Sequence, residues 1–264
     1  MSKKSLPIAV FDSGIGGISV LKELVHYLPN ENFIYFGDRA NAPYGVKSVD
    51  EVRNLTFYAY EMLKSKGIKA FVIACNTATS AAVGVLRERY PNDIIVGVEP
   101  ALKPAVRCSE HPTVAVLATP LTLKEEKFAL LMEKFGFDAR VIPFPCPGLV
   151  EFVERGEISG ENLRGFLMEL LAPLMSEKVD AVVLGCTHYP FVKAEISAVL
   201  GKDVLIFDGS VGTALQTRRR LEENGLLSES NEKGSIVFID SSHPENEDAS
   251  LSQLAKFGGE YLCS

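Results

Sequence analysis

The sequence predicts an α/β protein made of two pseudo-symmetric parallel-sheet domains with a cleft between them. Near-continuous apolar runs such as "AFVIAC" alternate with longer segments of helical period, which is the order of a parallel sheet covered by helices. The same order of elements then occurs a second time along the chain. Two similar units that face each other would place equivalent positions on opposite walls of one cleft.

The predicted strands are rich in β-branched residues and show little alternation with polar residues, as expected of strands that are buried on both faces. Turn residues follow most of them. The predicted strands are "IAVF" (8–11), "FIYF" (33–36), "AFVIA" (70–74), "IIVGV" (94–98), "TVAVLA" (113–118), "ARVI" (139–142), "AVVLG" (181–185), "VLIF" (204–207) and "IVFI" (236–239).

Two of the helical segments carry start and stop signals. In each, a Ser or Thr precedes a Glu at the spacing of a capping box, and a Gly ends the helical pattern. The predicted cap, box and stop residues are Ser48, Glu51 and Gly67 in the first segment and Thr122, Glu125 and Gly136 in the second.

Two cysteines occupy the same setting in the two units. Cys75 in "VIACNTA" and Cys186 in "VLGCTHY" each follow a buried strand, and ligands of open parallel sheets bind at such strand ends. A thiol at the start of a helix is expected to have a lowered pKa, because the helix dipole favours the thiolate. A buried structural cysteine is the alternative, but the repetition favours two reactive thiols in one cleft. Cys108, Cys146 and Cys263 lack this setting and are predicted to be inert.

Further polar groups follow the strands of both units. Asp12 ends the first strand in "FDSGIGG", a turn that could bind a phosphate or simply lead into a helix capped by Asp12 or Ser13. The equivalent place in the second unit, Ala118-Thr119, has no acid, and His188 could supply the missing proton-handling group. A zinc site is a weaker alternative, because the Cys-x-His spacing lacks a clear third and fourth ligand.

Composition excludes several classes of protein. The chain has 264 residues, 47% of them hydrophobic, a net charge of −7 and a sequence pI near 5.3. This acidic balance argues against a nucleic-acid partner and against attachment to an anionic membrane surface. No stretch reaches the length of a membrane span or of a secretory signal. Five cysteines without a Cys-x-x-Cys pair favour reduced thiols and a cytoplasmic location.

Four motifs together resemble one family. "VFDSGIGG", "PYG", "ACNTA" and "GCTHYP", in this order and separation, are similar to the signature of the glutamate racemases of the aspartate/glutamate racemase superfamily. The resemblance covers essentially the whole chain and is weakest after about residue 209. It implies a cofactor-independent enzyme, commonly a homodimer, that binds L- and D-glutamate and supplies D-glutamate for peptidoglycan. It also implies domains of residues 1–98 with 208–264 and of residues 99–207.

The resemblance implies roles for particular residues. Cys75 and Cys186 match the two catalytic cysteines, and Asp12 and His188 match their respective helpers. Glu154 lies near the place of another acidic helper. Related aspartate racemases are expected to carry an acid where His188 stands, so this residue favours glutamate. The residues that match substrate-contacting positions are Asp12, Ser13, Pro43, Tyr44, Gly45, Asn76, Thr77, Thr119, Thr187 and His188.

The chemistry of racemisation fits this pattern. One group removes the α-proton from one face of the amino acid and another group returns a proton to the opposite face, so two cysteines can exchange the roles of base and acid. No convincing pyridoxal-binding lysine is present, and the carbanion must be stabilised by hydrogen-bond donors. The alternatives are an aspartate or other amino-acid racemase of the same superfamily, a single-thiol hydrolase or lyase, and a non-catalytic amino-acid-binding protein.

Overall fold

The computed structural model describes residues 2–135, 139–242 and 261–262. These residues form nine strands in two sheets, and every strand coincides with one of the predicted apolar runs. All strand pairs are parallel, which confirms the α/β fold class with two parallel sheets. The predictions for Gly136 and Cys263 lie outside the described residues.

The first sheet contains β1 (Ile8–Asp12), β2 (Phe33–Gly37), β3 (Ala70–Ile73), β4 (Ile95–Gly97) and β9 (Ile236–Asp240). Its strand order is β4-β3-β1-β2-β9, so the chain returns to this sheet after it has built the second one. The central strand β1 is buried along its whole length. Phe11 stacks on Phe36 and on Phe71, each with ring centroids 5.9 Å apart.

The second sheet contains β5 (Thr113–Ala118), β6 (Arg140–Pro145), β7 (Ala181–Leu184) and β8 (Leu205–Asp208) in the order β6-β5-β7-β8. When the order of the first sheet is read in the opposite direction and its edge strand β9 is left out, it is β2-β1-β3-β4, which corresponds to the order of the second sheet. Each strand of the second sheet therefore has an equivalent in the first, as the repeated element order predicts. We call the first sheet, with the helices and loops that connect its strands, the first region, and the second sheet with its connections the second region. The domain boundaries stay a prediction.

Helices connect the strands in both regions. The helix after β2 has the predicted capping box, in which Ser48 and Glu51 bond reciprocally, and Gly67 follows its end with a φ of +79°. The helices are α1 (Ile18–Tyr27), α2 (Val49–Ser65), α3 (Asn76–Arg89), α4 (Leu102–Ala105), α5 (Pro120–Lys124), α6 (Glu126–Phe135), α7 (Leu149–Glu154), α8 (Glu161–Ser176), α9 (Lys193–Leu200) and α10 (Ser210–Glu223).

The second predicted capping box is wrong. The segment after β5 forms two helices, and Thr119 caps the first of them by accepting a hydrogen bond from Thr122 N. Pro120 at the first helical position suits this earlier start, because its fixed φ is helical and no N–H is lost there. Glu125 has extended backbone angles between α5 and α6 and therefore ends a helix rather than completing a box.

The two regions share a buried apolar cluster. Side chains of α1, such as Ile18, and of the second region, such as Val153 and Tyr189, belong to it. This contact brings the carboxyl ends of the two sheets together, where the residues of catalytic interest lie. No helix among the described residues is long and apolar enough to cross a bilayer.

Candidate active site

A small cavity of about 80 Å³ lies between the carboxyl ends of the two sheets. β3 ends at Ile73 and β7 at Leu184, so Cys75 and Cys186 both lie two residues beyond equivalent strand ends. Asp12, the last residue of β1, is fully buried and is not part of the cavity wall. Glu154 does not line it either, whereas the other residues predicted to be catalytic or to contact substrate do, namely Ser13, Pro43, Tyr44, Gly45, Cys75, Asn76, Thr77, Thr119, Cys186, Thr187 and His188.

Cys75 is the N-cap residue of α3. Its Sγ accepts a hydrogen bond from Ala78 N at 3.4 Å, and Ser13 Oγ lies 3.6 Å from the same sulfur. Burial, together with the negative charge of Asp12, nevertheless raises the pKa of the Cys75 thiol to about 12. The expected lowering of the thiol pKa is therefore wrong here, because desolvation of a thiolate outweighs the donors at the helix start.

Asp12 connects the two regions. One carboxylate oxygen, Oδ2, accepts a hydrogen bond from Gly14 N at 2.9 Å, while Oδ1 accepts one from Thr187 Oγ1 at 3.0 Å. Burial raises the pKa of the Asp12 carboxyl, although His188 and these two donors oppose the shift. Asp12 therefore combines a charge that acts on Cys75 with a direct bond to the motif that contains Cys186.

The second cysteine has a different set of partners. Cys186 Sγ lies 3.7 Å from His188 Nδ1, and His188 Nε2 lies 2.6 Å from Glu154 Oε1. Burial alone would lower the pKa of His188, but the bonds and charges at Cys186 and Glu154 raise it well above its ordinary value. Burial likewise opposes ionisation of Glu154, yet His188 keeps the pKa of that carboxyl below its ordinary value. The result is an imidazolium-carboxylate pair beside the sulfur.

The Gly-rich turn after β1 is packed against this pair. Glu154 Oε1 accepts a hydrogen bond from Ile15 N at 2.8 Å. A Cβ at Gly14 would overlap the same oxygen, and a Cβ at Gly16 would overlap the ring of His188. A carboxylate thus occupies a backbone donor of the turn, which disfavours the phosphate-binding interpretation. Neither Asp12 nor Ser13 caps α1, because that helix begins only at Ile18 with Gly17 as N-cap.

Polar groups of both regions meet beside Cys75. The hydroxyls of Thr77, Thr119 and Thr122 form a triangle with oxygen separations of 3.1, 2.9 and 3.2 Å. Thr77 belongs to α3 in the first region and the other two belong to the second. Asn76 Oδ1 is buried and has no hydrogen-bond partner within the described part of the chain. Because a buried unpaired acceptor is costly, this amide oxygen is a candidate for contact with a ligand donor.

The loop after β2 forms another wall. Tyr44 is buried, and its hydroxyl donates to Asp38 Oδ2 at 2.6 Å. Asn41 also donates to both oxygens of Asp38, so these hydrogen bonds fix the conformation of the loop. A Cβ at Gly45 would lie 2.8 Å from Thr119 Cβ, so a glycine allows the close approach of the two regions at this point.

The loop after β6 was not predicted as part of the site, yet its Cys146, Pro147 and Gly148 line the cavity. Burial and the nearby Cys186 raise the pKa of the Cys146 thiol, which disfavours its use as a base. The signal was present, because "PFPCPG" follows the predicted strand "ARVI" and matches the "NAPYG" loop in the repeated order of elements. The other lining residues that were not predicted are Val46, Pro120, Val150 and Glu151.

The weaker alternative of a zinc centre gains no support from the geometry. Among the residues that the structure describes, no group of three or more His, Cys, Asp and Glu side chains is arranged to hold a metal ion. Cys186 and His188 are near each other, but the remaining imidazole nitrogen is paired with Glu154.

Known proteins resemble the chain along most of its length. A glutamate racemase of Clostridium botulinum (strain Alaska E43 / Type E3) is 51% identical over 245 residues, which are 93% of this chain and 95% of that protein. A glutamate racemase of Clostridium acetobutylicum is 53% identical over 241 residues, covering 91% of this chain and 94% of that protein.

Solved structures give the same result for the fold. Glutamate racemase from Francisella tularensis in complex with D-glutamate has a TM-score of 0.82 at 32% identity and covers 99% of this chain and 95% of its own. Escherichia coli glutamate racemase with L-glutamate and the activator UDP-MurNAc-ala has a TM-score of 0.80 at 28% identity, with coverages of 96% and 95%. The family described as Asp/Glu/Hydantoin racemase matches residues 8–214. The chain therefore belongs to the Asp/Glu/hydantoin racemase family and, within it, to the glutamate racemases.

Proposed function

We propose that this racemase interconverts L- and D-glutamate with Cys75 and Cys186 as two separate bases on opposite faces of the α-carbon. A thiolate removes the α-proton from one face, and the opposite thiol donates its own proton to the other face. The first cysteine then holds the substrate proton and the second is a thiolate. The observation that supports this most directly is that both thiols border one cavity from equivalent strand ends.

Each cysteine has its own charged neighbour in this proposal. His188 Nδ1, 3.7 Å from Cys186 Sγ, is close enough to exchange a proton with that sulfur after modest adjustment. Asp12 acts on Cys75 through its negative charge. The two helpers differ in charge, so their removal would affect different proton transfers.

Aimed hydrogen-bond donors would stabilise the carbanion without a cofactor. The developing charge spreads onto the α-carboxylate, where the hydroxyls of Ser13 and Thr77 can donate. The unpaired Asn76 Oδ1 can accept from the substrate ammonium. A pyridoxal ring would serve the same purpose by delocalising the charge, but this arrangement replaces delocalisation by preorganised dipoles.

A chiral assay tests the substrate and the mechanism. Purified protein is incubated with each enantiomer of glutamate and of aspartate, with and without EDTA, and without added pyridoxal phosphate. We expect glutamate to be the better substrate and EDTA to have no effect. Faster turnover of aspartate would contradict the substrate, and loss of activity on chelation that zinc restores would contradict the metal-free mechanism.

Proton tracing in D2O tests the two bases. Because the product receives its proton from the second thiol, early product should carry deuterium at the α-carbon while the remaining substrate stays protonated. The pattern should hold from either enantiomer. Product that retains the original proton would indicate a single shared base and overturn the proposal.

We further propose that the enzyme works in the cytoplasm as a homodimer and supplies D-glutamate for peptidoglycan. The resemblance to glutamate racemases supports this role, and the acidic composition and reduced cysteines are compatible with it. Light scattering during gel filtration would test the dimer. Rescue of a bacterium that requires D-glutamate would test the role, and failure of an expressed, active enzyme to rescue it would contradict that role.

A further inference from the structure

Glu154 lies at the junction of the two regions. It is the last residue of α7, and its Oε1 contacts His188 Nε2 of its own region and Ile15 N of the first region. That oxygen therefore has two donors already. The orientation of the carboxylate plane then depends on what holds the other oxygen, Oε2.

Arg39 holds the other oxygen from the first region. It begins a short 3-10 helix (Arg39–Asn41) one residue after the end of β2, and its Nε lies 3.5 Å from Glu154 Oε2. Its side chain is 21% exposed and that of Glu154 is 18% exposed, so solvent screens this pair only in part. The guanidinium is thus in place to fix the plane of the carboxylate.

Arg39 is itself held by the last strand of the first sheet. Its Nη1 donates to Asp240 Oδ2 at 3.1 Å, and the Asp240 side chain is only 1% exposed. The backbone N–H and the hydroxyl of Ser242 donate to Oδ1 of the same carboxylate. Asp240 is therefore a fixed anchor for Arg39. Along the series Asp240, Arg39, Glu154 and His188, the charges alternate in sign.

We propose that Arg39, anchored by Asp240, is a positioning residue for the Cys186 half of the reaction. It keeps the Glu154 carboxylate in the plane that orients the His188 ring towards Cys186 Sγ. Arg39 does not line the cavity and is not a catalytic residue. Burial raises the pKa of the Glu154 carboxyl, and the positive charge of Arg39 helps to lower it, after the larger contributions of His188 and Ile15 N.

This positioning role rests on the proposed two-base mechanism. The thermodynamics of racemisation limit which kinetic measurement can test it. Because the two enantiomers have equal free energy, a variant must change kcat/KM by the same factor in both directions. Primary isotope effects do separate the two proton transfers. If removal of the α-proton by Cys186 becomes slower, the substrate that Cys186 deprotonates shows a larger effect of α-deuteration, and the other enantiomer shows a smaller one.

The experiment measures kcat/KM with α-protonated and α-deuterated L- and D-glutamate for the wild type, Arg39→Gln and Arg39→Lys. We expect Arg39→Gln to lower kcat/KM about tenfold, since groups in one network of ion pairs and hydrogen bonds couple at this level. The two isotope effects should move in opposite directions. Arg39→Lys keeps the charge and should recover part of the loss. Asp240→Asn should shift the isotope effects in the same sense by a smaller amount.

Arg155→Gln is the matched control. Arg155 directly follows Glu154, but its side chain is 53% exposed and pairs with Glu157. Its removal should leave both isotope effects unchanged. Unchanged isotope effects in Arg39→Gln and Asp240→Asn, or equal changes in Arg155→Gln, would overturn the positioning role. A wild type that carries the original α-proton into its product would instead overturn the two-base mechanism, so the two failures are distinguishable.

Discussion

The two cysteines occupy equivalent positions and have different environments. Cys75 caps a long α-helix, and its hydrogen-bond neighbours, Ala78 and Ser13, belong to the first region. Cys186 precedes a turn and a short 3-10 helix (Tyr189–Val192), and its neighbour is His188. Equivalent positions in the two sheets thus fix where a side chain lies but leave its electrostatic environment free to differ.

The difference also concerns which region supports each thiol. The hydrogen-bond partners of the Cys75 sulfur lie within its own region, and the opposite region contacts their neighbours, Asp12 through Thr187 and Thr77 through Thr119. The surroundings of Cys186 depend on Glu154, which the first region holds through Ile15 and Arg39. We therefore expect the Cys186 half to be more sensitive to changes in how the two regions meet.

Removal of either thiol should have the largest effect. Cys75→Ala and Cys186→Ala should each lower the rate of racemisation by about 10²- to 10⁴-fold, because a positioned acid or base typically accelerates a reaction by this factor. Each variant should still exchange deuterium into the one enantiomer that its remaining cysteine deprotonates. A chiral assay combined with proton NMR in D2O measures both. Near-normal racemisation by either variant would show that the two cysteines are not an acid-base pair.

Gly16→Ala should separate the two regions where they support Cys186. The added Cβ would overlap the His188 ring and lie 2.7 Å from Thr187 Oγ1, so the "CTH" segment must move. Because a misplacement of about 1 Å can cost about 10²-fold in rate, we expect a loss of one to two orders of magnitude in kcat/KM.

Gly84→Ala is the control for that substitution. Apart from its chain neighbours and the nearby backbone of α3, no described atom lies within 4 Å of the position that its Cβ would occupy. It should keep full activity and stabilise the helix by about 0.5–1 kcal/mol. Equal activity losses in the two variants would contradict the role of close packing at the Gly-rich turn.

Glu154→Gln should change the titration of His188. The pKa of His188 is raised and that of Glu154 is lowered, so their pairing stabilises the fold between these two values. This stabilisation is lost as the pH falls through the pKa of Glu154 or rises through that of His188. Without the carboxylate, the pKa of His188 should fall. NMR titration of the imidazole, assigned with His188→Asn, measures this, and an unchanged midpoint would contradict the pairing.

Ser13→Ala should have the smallest effect. It removes a hydrogen-bond partner 3.6 Å from Cys75 Sγ that helps to lower the thiol pKa against burial. A loss of about 0.5–1.5 kcal/mol corresponds to a decrease of about two- to tenfold in kcat/KM. The isotope effect should rise for the enantiomer that Cys75 deprotonates. A rise for the opposite enantiomer would indicate that Ser13 supports proton removal by Cys186, which would contradict this prediction.

Local patterns were sufficient for much of the fold. The nine strands, the capping box at Ser48 and the equivalence of Cys75 and Cys186 were predictable from apolar runs, cap spacing and the repeated order of elements. The false capping box at Thr122 shows the limit of such signals. Two caps with similar spacing compete there, and Pro120 decides in favour of Thr119.

The sequence by itself determined the fold class, the family and the pair of strand ends at which the thiols lie, because these depend on residues that are close together along the chain. Only the tertiary structure decided the charge environment. The pKa of Cys75 is raised because burial and Asp12 outweigh the helix start. Glu154 reaches Ile15, 139 positions earlier, because the two regions close on each other. Desolvation and contacts across a cleft exist only once the chain is folded, and no local pattern encodes their balance.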